Sequence, residues 1–383
     1  MRHAWIDGAP AELATAAATA ARLLDASRQP LIAGLGADVG GARAATALAQ
    51  RIGAAIDHMN ADALLRDLDV MREAGVMLTT PSEARLRADT LLLVGPGLIE
   101  AWNGLPQHLL GARTVEPGTG ADRRKFWLCP RASWLDDDDG AGSIHNIGVI
   151  DREAGDLPAL LAALRARVNG RPADLSRFCP HGLASLSPSF PQMLNALADA
   201  LKAARFGVAV WSAAELDALT VEMLCGLVAD LNATTRFSGL PLPPGDNAIG
   251  VLQVCGWMTG FPPRTGLGRS DPDHDPWRYR AARLVDNGEA DCVLWISAYR
   301  AKAPEWSGSP PTIALAPADT KFPKRPRVHI AVGAPGRDHD GVEHHAMMGT
   351  LAAVTAAHRS EALSVAAAIA SIAAHLADRP PSC

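Results

Sequence analysis

Pro30-Leu-Ile-Ala-Gly-Leu-Gly36, continued by Ala37-Asp-Val-Gly40-Gly41, is the stretch that decides the fold. A short apolar run ends in a glycine turn and passes into a helical pattern over Gly41–Ile52. A second apolar run, Ala54-Ala-Ile-Asp57, follows. Strand, glycine turn, helix and strand in that order are one turn of a parallel α/β sheet. Outward from this unit the rhythm repeats. Strands are expected at Thr90–Val94, Phe126–Leu128, Gly207–Trp211, Cys292–Ile296, Thr312–Leu315 and Val328–Val332. All are apolar on both faces, as strands covered by helices on each side must be. Helices are expected at Leu157–Val168, Pro191–Ala204, Ala218–Leu231, Trp277–Asn287 and Glu361–Ala377. Leu175–Pro191, mixing Pro, Ser and His, reads as a linker or domain crossing, and Pro241–Pro276, with Pro and Gly repeated, as a long loop.

At 383 residues, with 48% hydrophobic and 20% charged, the chain is a globular protein too long for one ordinary core. A net charge of −5 with scattered Lys and Arg provides no field for gripping nucleic acid. No apolar run reaches bilayer length, and the first residues lack a basic region followed by an apolar core. The expectation is a cytoplasmic protein with neither nucleic acid nor membrane as partner. The six cysteines, Cys129, Cys179, Cys225, Cys255, Cys292 and Cys383, have no chelating spacing and read as buried apolar residues.

Several motifs invite a functional reading. Gly34, Gly36 and Asp57 occupy the places of a nucleotide cleft: glycines at the turn, an acid closing the next strand. The Gly-x-Gly-x-x-x-Gly spacing is one residue longer than the dinucleotide fingerprint, and tight turns need glycine with no ligand present. His339, His344 and His345 lie among Asp338, Asp340 and Glu343, but without His-x-x-x-His or His-Glu-x-x-His spacing; a polar loop explains them equally. Asp136–Asp139 lacks the alternating ligands of a calcium loop. Neither a Gly-x-Ser-x-Gly elbow nor a Walker loop is present. The residues alone assemble no catalytic or metal site.

The run Gln253-Val-Cys-Gly-Trp-Met-Thr-Gly-Phe-Pro262 resembles the B subunit of formylmethanofuran dehydrogenases, in the molybdopterin oxidoreductase superfamily. Three further segments resemble that family in the same order: Pro30–Gly36 with Ile56-Asp57, Thr79-Thr-Pro-Ser-Glu-Ala-Arg-Leu-Arg-Ala-Asp89, and Asn232 with Arg236-Phe237-Ser238. The departures are as informative. The family opens with cysteines for a four-iron cluster, whereas the first cysteine here is Cys129. The family's metal-binding cysteine shortly after Ile-Asp is replaced by His58-Met-Asn-Ala-Asp-Ala-Leu-Leu-Arg66. Its Asp-Pro-Arg at a strand end is Cys129-Pro130-Arg131. Without a soft thiolate, Mo or W has no ligand of the usual kind, and without a cluster electrons have no route out.

Such an emptied subunit resembles the B subunits of bacterial formyltransferase/hydrolase complexes. The resemblance implies Rossmann-like doubly wound α/β sheets, as in molybdopterin oxidoreductases, in a discontinuous domain with an inserted second α/β domain. The implied boundaries are an N-terminal segment and helix over 1–27, a discontinuous domain over 28–60 plus 205–378, and an insertion over 61–204. It also implies a noncatalytic scaffold with no cofactor of its own. Its partners would be an amidohydrolase-like subunit holding zinc, a formyltransferase and a β-helical subunit, with a methanofuran analogue as carrier. The complex would move formyl groups from tetrahydromethanopterin to that carrier and release formate. Trp5, Trp102, Trp134, Trp257, Trp277 and Trp306 suit interface anchoring, as they suit core packing. The competing expectation is an active oxidoreductase or nucleotide binder using Gly34, Gly36 and Asp57; a metal site on His339, His344 and His345 is a third.

Overall fold

The computed structural model describes residues 4–111, 123–131, 147–173, 175, 190–268 and 271–377. The Asp136–Asp139 run, Trp134, Cys179 and Cys383 lie outside them. The chain divides into two compact units. One comprises Met1–Asp62, Gly245–His345 and Thr350–Cys383, the other Ala63–Pro244 with Ala346–Gly349.

In chain order, β1 (Ala4–Ile6) and β2 (Ala9–Ala11) form a hairpin. Its two-residue turn, Asp7-Gly8, has φ of 50° and 80°, the left-handed pair that matches strand twist. Next come α1 (Leu13–Ala26), β3 (Pro30–Gly36), α2 (Val39–Ile52) and β4 (Ala55–Ile56). The middle of the chain contributes α3 (Ala61–Ala74), α4 (Pro81–Arg87), β5 (Thr90–Val94), α5 (Leu98–Ala101), β6 (Arg124–Leu128), β7 (Ile147–Ile150), α6 (Leu157–Val168), α7 (Phe190–Lys202), β8 (Gly207–Trp211), α8 (Ala218–Leu231) and β9 (Phe237–Pro241). The last part supplies α9 (Ala248–Thr259), β10 (Thr265–Gly266), β11 (Asp273–His274), α10 (Ala281–Asp286), β12 (Cys292–Ser297), β13 (Thr312–Ala316), β14 (Val328–Ala331), the hairpin β15 (Gly341–His345) and β16 (Thr350–Val354), and α11 (Val365–Ala373).

Among the described residues the first unit holds a sheet in the order β11-β10-β4-β3-β12-β13-β14-β1-β2, parallel from β4 to β14 and antiparallel at both edges. One face packs on α1, α2, α9 and α11 through Leu24, Ile32, Ala45, Val254 and Ile369. The other face carries Leu31, Ala33, Trp295 and Tyr279 against Leu284 and Val285 of α10. The second unit holds a parallel sheet, β7-β6-β5-β8-β9, with a core on each face. In each sheet the strand order reverses beside one strand, between β3 and β12 and between β5 and β8. Crevices for ligands form at the carboxyl ends of strands at such reversals.

Four expectations need correction. Residues 1–27 are part of the first unit, because β1 pairs with β14 and α1 packs on it. The first unit resumes at Gly245 rather than at about 205, because β8 and β9 extend the sheet of β5. The stretch Pro241–Pro276 is no continuous loop: it holds α9, β10 and β11. Trp277–Arg280 precede α10, held in a turn where Asp275 accepts from the backbone of Trp277 and Arg278. In addition, the sequence reading passed over α4, whose N-cap Thr80 accepts from Glu83 N while Thr79 holds the Glu83 carboxylate, the reciprocal chemistry of a capped helix start.

Candidate functional site

The glycines of the opening motif answer first to backbone packing. Gly34 has φ of +77°, and a Cβ there would lie 2.5 Å from the Ile296 carbonyl of β12. A side chain is excluded on both counts, with no ligand required. The register of β3 against β12 shifts at this point, between Trp295 and Ser297. At Gly36 the neighbours are Met59 and Asp246, and at Gly41 Ala37 and Val365 of α11.

A helix N-terminus attracts an anion because its first N–H groups lack partners. At α2 the chain supplies that anion itself: Asp38 is buried, caps the helix and accepts from Gly41 N at 2.8 Å. The place where a nucleotide phosphate would sit therefore already carries a carboxylate.

Asp57 occupies the end of β4, and its side chain turns into a cleft of about 280 Å3 at the carboxyl ends of β3 and β4. Arg264, on the loop entering β10, points its guanidinium into the same cleft. Its Nε donates to Asp57 Oδ1 at 3.3 Å, one terminal nitrogen to Asp62 Oδ1 at 2.6 Å and the other to Pro276 O at 3.0 Å. The second Asp57 oxygen accepts from Ala281 N at 2.8 Å, where α10 begins. Arg280 reaches the other oxygen of Asp62 at 2.9 Å. Lys302 and Glu305, 3.4 Å apart, line the far wall with Trp295 and Trp306, whose rings meet edge to face at 5.4 Å. Three carboxylates thus face three cations. Burial pushes the Asp57 carboxyl up to about 6, against the lowering pull of Arg264 and the Ala281 N–H.

His58 is neutral in this setting. Asn60 N donates to its Nδ1 at 3.0 Å, which leaves Nε2 to donate to the Asp246 carbonyl at 3.2 Å. Burial lowers its pKa to about 4. Asp246 and Asn247, both left-handed (φ 59° and 57°), lock the start of α9: Asp246 pairs with Arg300 and accepts from Asn60, while Asn247 bonds Ala37 O and His344 N.

The donor set does not fit the metal and cluster chemistry of redox relatives. Cys129, Cys225, Cys255 and Cys292 are each buried, and burial holds their thiols up at about 11 to 12, the protonated form that binds metal poorly. Among the described residues no group of three or more His, Cys, Asp or Glu converges as metal ligands. The two ring nitrogens of His339 face backbone carbonyls, Asp340 O at 2.8 Å and Gly333 O at 3.3 Å, rather than the other two histidines. His344 and His345 are successive residues of β15 and so point to opposite faces. The structure does not bring the three histidines into one site.

In the second unit, Arg131 follows β6 and is held between Glu100 at 2.9 Å and Glu215 at 2.7 Å. Sequence reasoning found Asp57 but missed Asp62, Arg264 and Arg280. The available signal was the Pro262-Pro-Arg-Thr-Gly266 turn closing directly after the Gln253–Pro262 run.

Of the aromatic residues suited to interfaces, Trp257 and Trp277 are 62% and 69% exposed and Phe261 is also exposed. Trp5 stacks on His329 and Trp102 on His108, and Trp306 meets Trp295 edge to face, so these three serve packing. Among the described residues no helix is long and apolar enough to cross a membrane.

No family model matches the chain. It is 33% identical over 378 residues, 98% of its length and 97% of the other's, to the B subunit of the formyltransferase/hydrolase complex Fhc of Methylorubrum extorquens. It is 26% identical, over 86% of its length and 75% of the other's, to the B subunit of the tungsten-containing formylmethanofuran dehydrogenase 2 of Methanocaldococcus jannaschii. Among solved structures it matches a chain of the formyltransferase/hydrolase complex FhcABCD from Methylorubrum extorquens in complex with methylofuran. That match has a TM-score of 0.81 and 33% identity, over 96% of this chain and 97% of that one.

Proposed function

Since the chain belongs to the family of B subunits of the formyltransferase/hydrolase complex Fhc, we propose that it is the noncatalytic, structural B subunit of such a cytoplasmic complex. The complex passes formyl groups from formyl-tetrahydromethanopterin to a methanofuran analogue and releases formate. Its partners in this reading are an amidohydrolase-like subunit that holds zinc, a formyltransferase subunit and a β-helical subunit. The architecture proposed with it is a Rossmann-like, discontinuous domain related to the molybdopterin oxidoreductases, with the second α/β unit inserted.

The observation that carries the reading is the full-length match to an Fhc B subunit, joined to a cleft whose charged groups are all engaged with one another. A catalytic acid, base or nucleophile must be poised toward a substrate. Here Asp57 is spent on Arg264 and Ala281, His58 on two backbone groups, and burial inside cores favours the protonated thiols of Cys129, Cys225, Cys255 and Cys292. The exposed Trp257, Phe261 and Trp277 support a subunit with partners, since aromatic anchors dominate interface energetics.

The test is to purify the assembly through a tag on this chain and measure Mo, W, Fe and Zn. Co-purified hydrolase and transferase subunits, zinc without Mo, W or Fe, and formate release from the formyl carrier are the expected result. Stoichiometric Mo or W, or a chain that co-purifies no other subunit, would overturn the reading.

A further inference from the structure

We propose that Arg264 is a built-in occupant of the cleft: a tethered guanidinium seated between Asp57 and Asp62, where its removal leaves a site for a free organic cation of the guanidinium class. Three features converge on this. The Arg264 side chain is buried, and its donors are spread over three acceptors: Asp57 at 3.3 Å, Asp62 at 2.6 Å and the Pro276 carbonyl at 3.0 Å. That is the fork geometry of guanidinium recognition, performed on the chain's own side chain. The backbone at Arg264 has φ of +71°, a conformation a non-glycine residue adopts only when its surroundings require it, and it is this turn that sends the side chain inward. The acceptors come from separate elements. Asp57 follows β4, Asp62 lies in α3 and Pro276 precedes α10, and each carboxylate keeps a second partner besides Arg264, Ala281 N on Asp57 and Arg280 on Asp62.

The other charges facing the cradle are Arg280 on Asp62, the Lys302–Glu305 pair on the far wall and the neutral His58. Without Arg264, Asp57 has a choice between a proton and an added cation. Burial already favours the proton, so occupancy by an added cation must strengthen as pH rises. The inference rests on the first unit alone, so its failure leaves the assembly reading untouched.

The full-length chain, wild type and R264A, is titrated with guanidinium at constant ionic strength, with sodium and tetramethylammonium as controls, and thermal unfolding is followed. R264A is expected to show a saturable rise in Tm with a Kd of roughly millimolar order, as suits a fragment of this size. The rise should be larger at pH 8 than at pH 6, lost in R264A/D57N, and absent in the wild type. No saturable response in folded R264A, or an equal one in R264A/D57N, overturns the proposal. D57N alone, which keeps the arginine, provides a second test through phenylglyoxal labelling read by peptide mass. Arg264 should be protected in the wild type and react roughly tenfold faster in D57N, the factor that losing about one charged hydrogen bond gives. Equal protection in both would mean that packing rather than the carboxylates holds the side chain, and the proposal fails.

Discussion

Two arginines lie at the carboxyl ends of parallel strands, one in each sheet, and they differ in burial. Arg264 in the first unit is buried, spans Asp57 and Asp62, and sits on a left-handed backbone. Arg131 in the second spans Glu100 and Glu215 with 43% of its side chain exposed. The arrangement is the same, a cation between two carboxylates at a strand end. Its consequences differ because water screens both arms of Arg131 but only the Asp62 arm of Arg264, leaving the Asp57 arm buried. A buried ion pair that loses one member leaves an uncompensated charge, whereas an exposed pair exchanges protein partners for water. The pattern therefore says little about stability until burial is known, and each variant below tests that statement at a different depth.

The largest effect is expected for R264A, which strands Asp57 beside a cavity. A loss of about 3–5 kcal/mol is the usual result of breaking one side of a buried pair. Denaturant unfolding checks it, and a loss under about 1 kcal/mol would put Arg264 in the class of surface pairs. G34A comes next. It combines φ of +77° with a Cβ 2.5 Å from the Ile296 carbonyl, so it should cost about 2–4 kcal/mol while leaving nothing for a ligand to lose. A G34A chain with wild-type unfolding would show that β12 can give way, and the glycine would then need a functional explanation.

Smaller again is a pH effect shared by both units. Burial raises Asp57 to about 6, and burial likewise raises Asp67, whose carboxylate accepts from Trp211 Nε1 at 2.9 Å, to about 6. A carboxyl whose folded pKa lies above its unfolded value of 3.8 binds its proton more tightly in the folded state. Its contribution is thus fully present below pH 4 and is lost as pH rises through 6. Asp275, Asp286, Asp291, Asp338 and Asp340 are held below 3.8 and act in the opposite sense, but at more acid pH. Between pH 4 and 6 each buried carboxyl should therefore contribute a decline on the order of 2–3 kcal/mol, against an opposite rise from His58, His329 and His344, whose pKa values burial lowers from 6.5. D57N should remove one part of the decline and D67N the other. A difference between wild type and D57N, or wild type and D67N, that does not change between pH 4 and 6 would contradict that carboxyl's contribution.

How much of this was legible in the sequence depends on the distance over which a residue acts. Pro30–Gly36, Thr90–Val94, Gly207–Trp211 and Cys292–Ser297 are apolar on every side and could only be covered strands. The sequence did not say which sheet each strand joins. Gly207–Trp211 is as fully buried as Cys292–Ser297, and only pairing with β5 assigns it to the second unit and moves the boundary to Gly245. Helix α9 was hidden because Ala248–Thr259 is apolar nearly all round, which removes the period, and because proline and glycine crowd both ends. In the cleft, Asp57 was legible from its place after a strand. Its partner lies 207 residues away, brought there by antiparallel pairing of β10 with β4 that no local pattern announces.

The smallest effect is the most exacting test of the comparison. R131A removes the same kind of cation from the same kind of place, with shorter contacts to its carboxylates than the 3.3 Å of Arg264 to Asp57. Since Arg264 also reaches Asp62 at 2.6 Å, distance alone would make the two substitutions comparable. Glu100 and Glu215 are both more than a third exposed, however, so each can rehydrate when the arginine leaves. The freed side-chain entropy of three long residues offsets part of what is lost. The net cost should be at most about 1 kcal/mol, and smaller still at high salt, where screening has already weakened the pair. The R264A cost should respond to salt in smaller proportion, because its Asp57 arm is buried while only its Asp62 arm is screened. Measuring both variants at low and high ionic strength separates burial from geometry: a proportionally larger salt-sensitive loss in R131A supports burial as the deciding variable. Equal salt dependence in the two would mean that water reaches Arg264 as freely as it reaches Arg131.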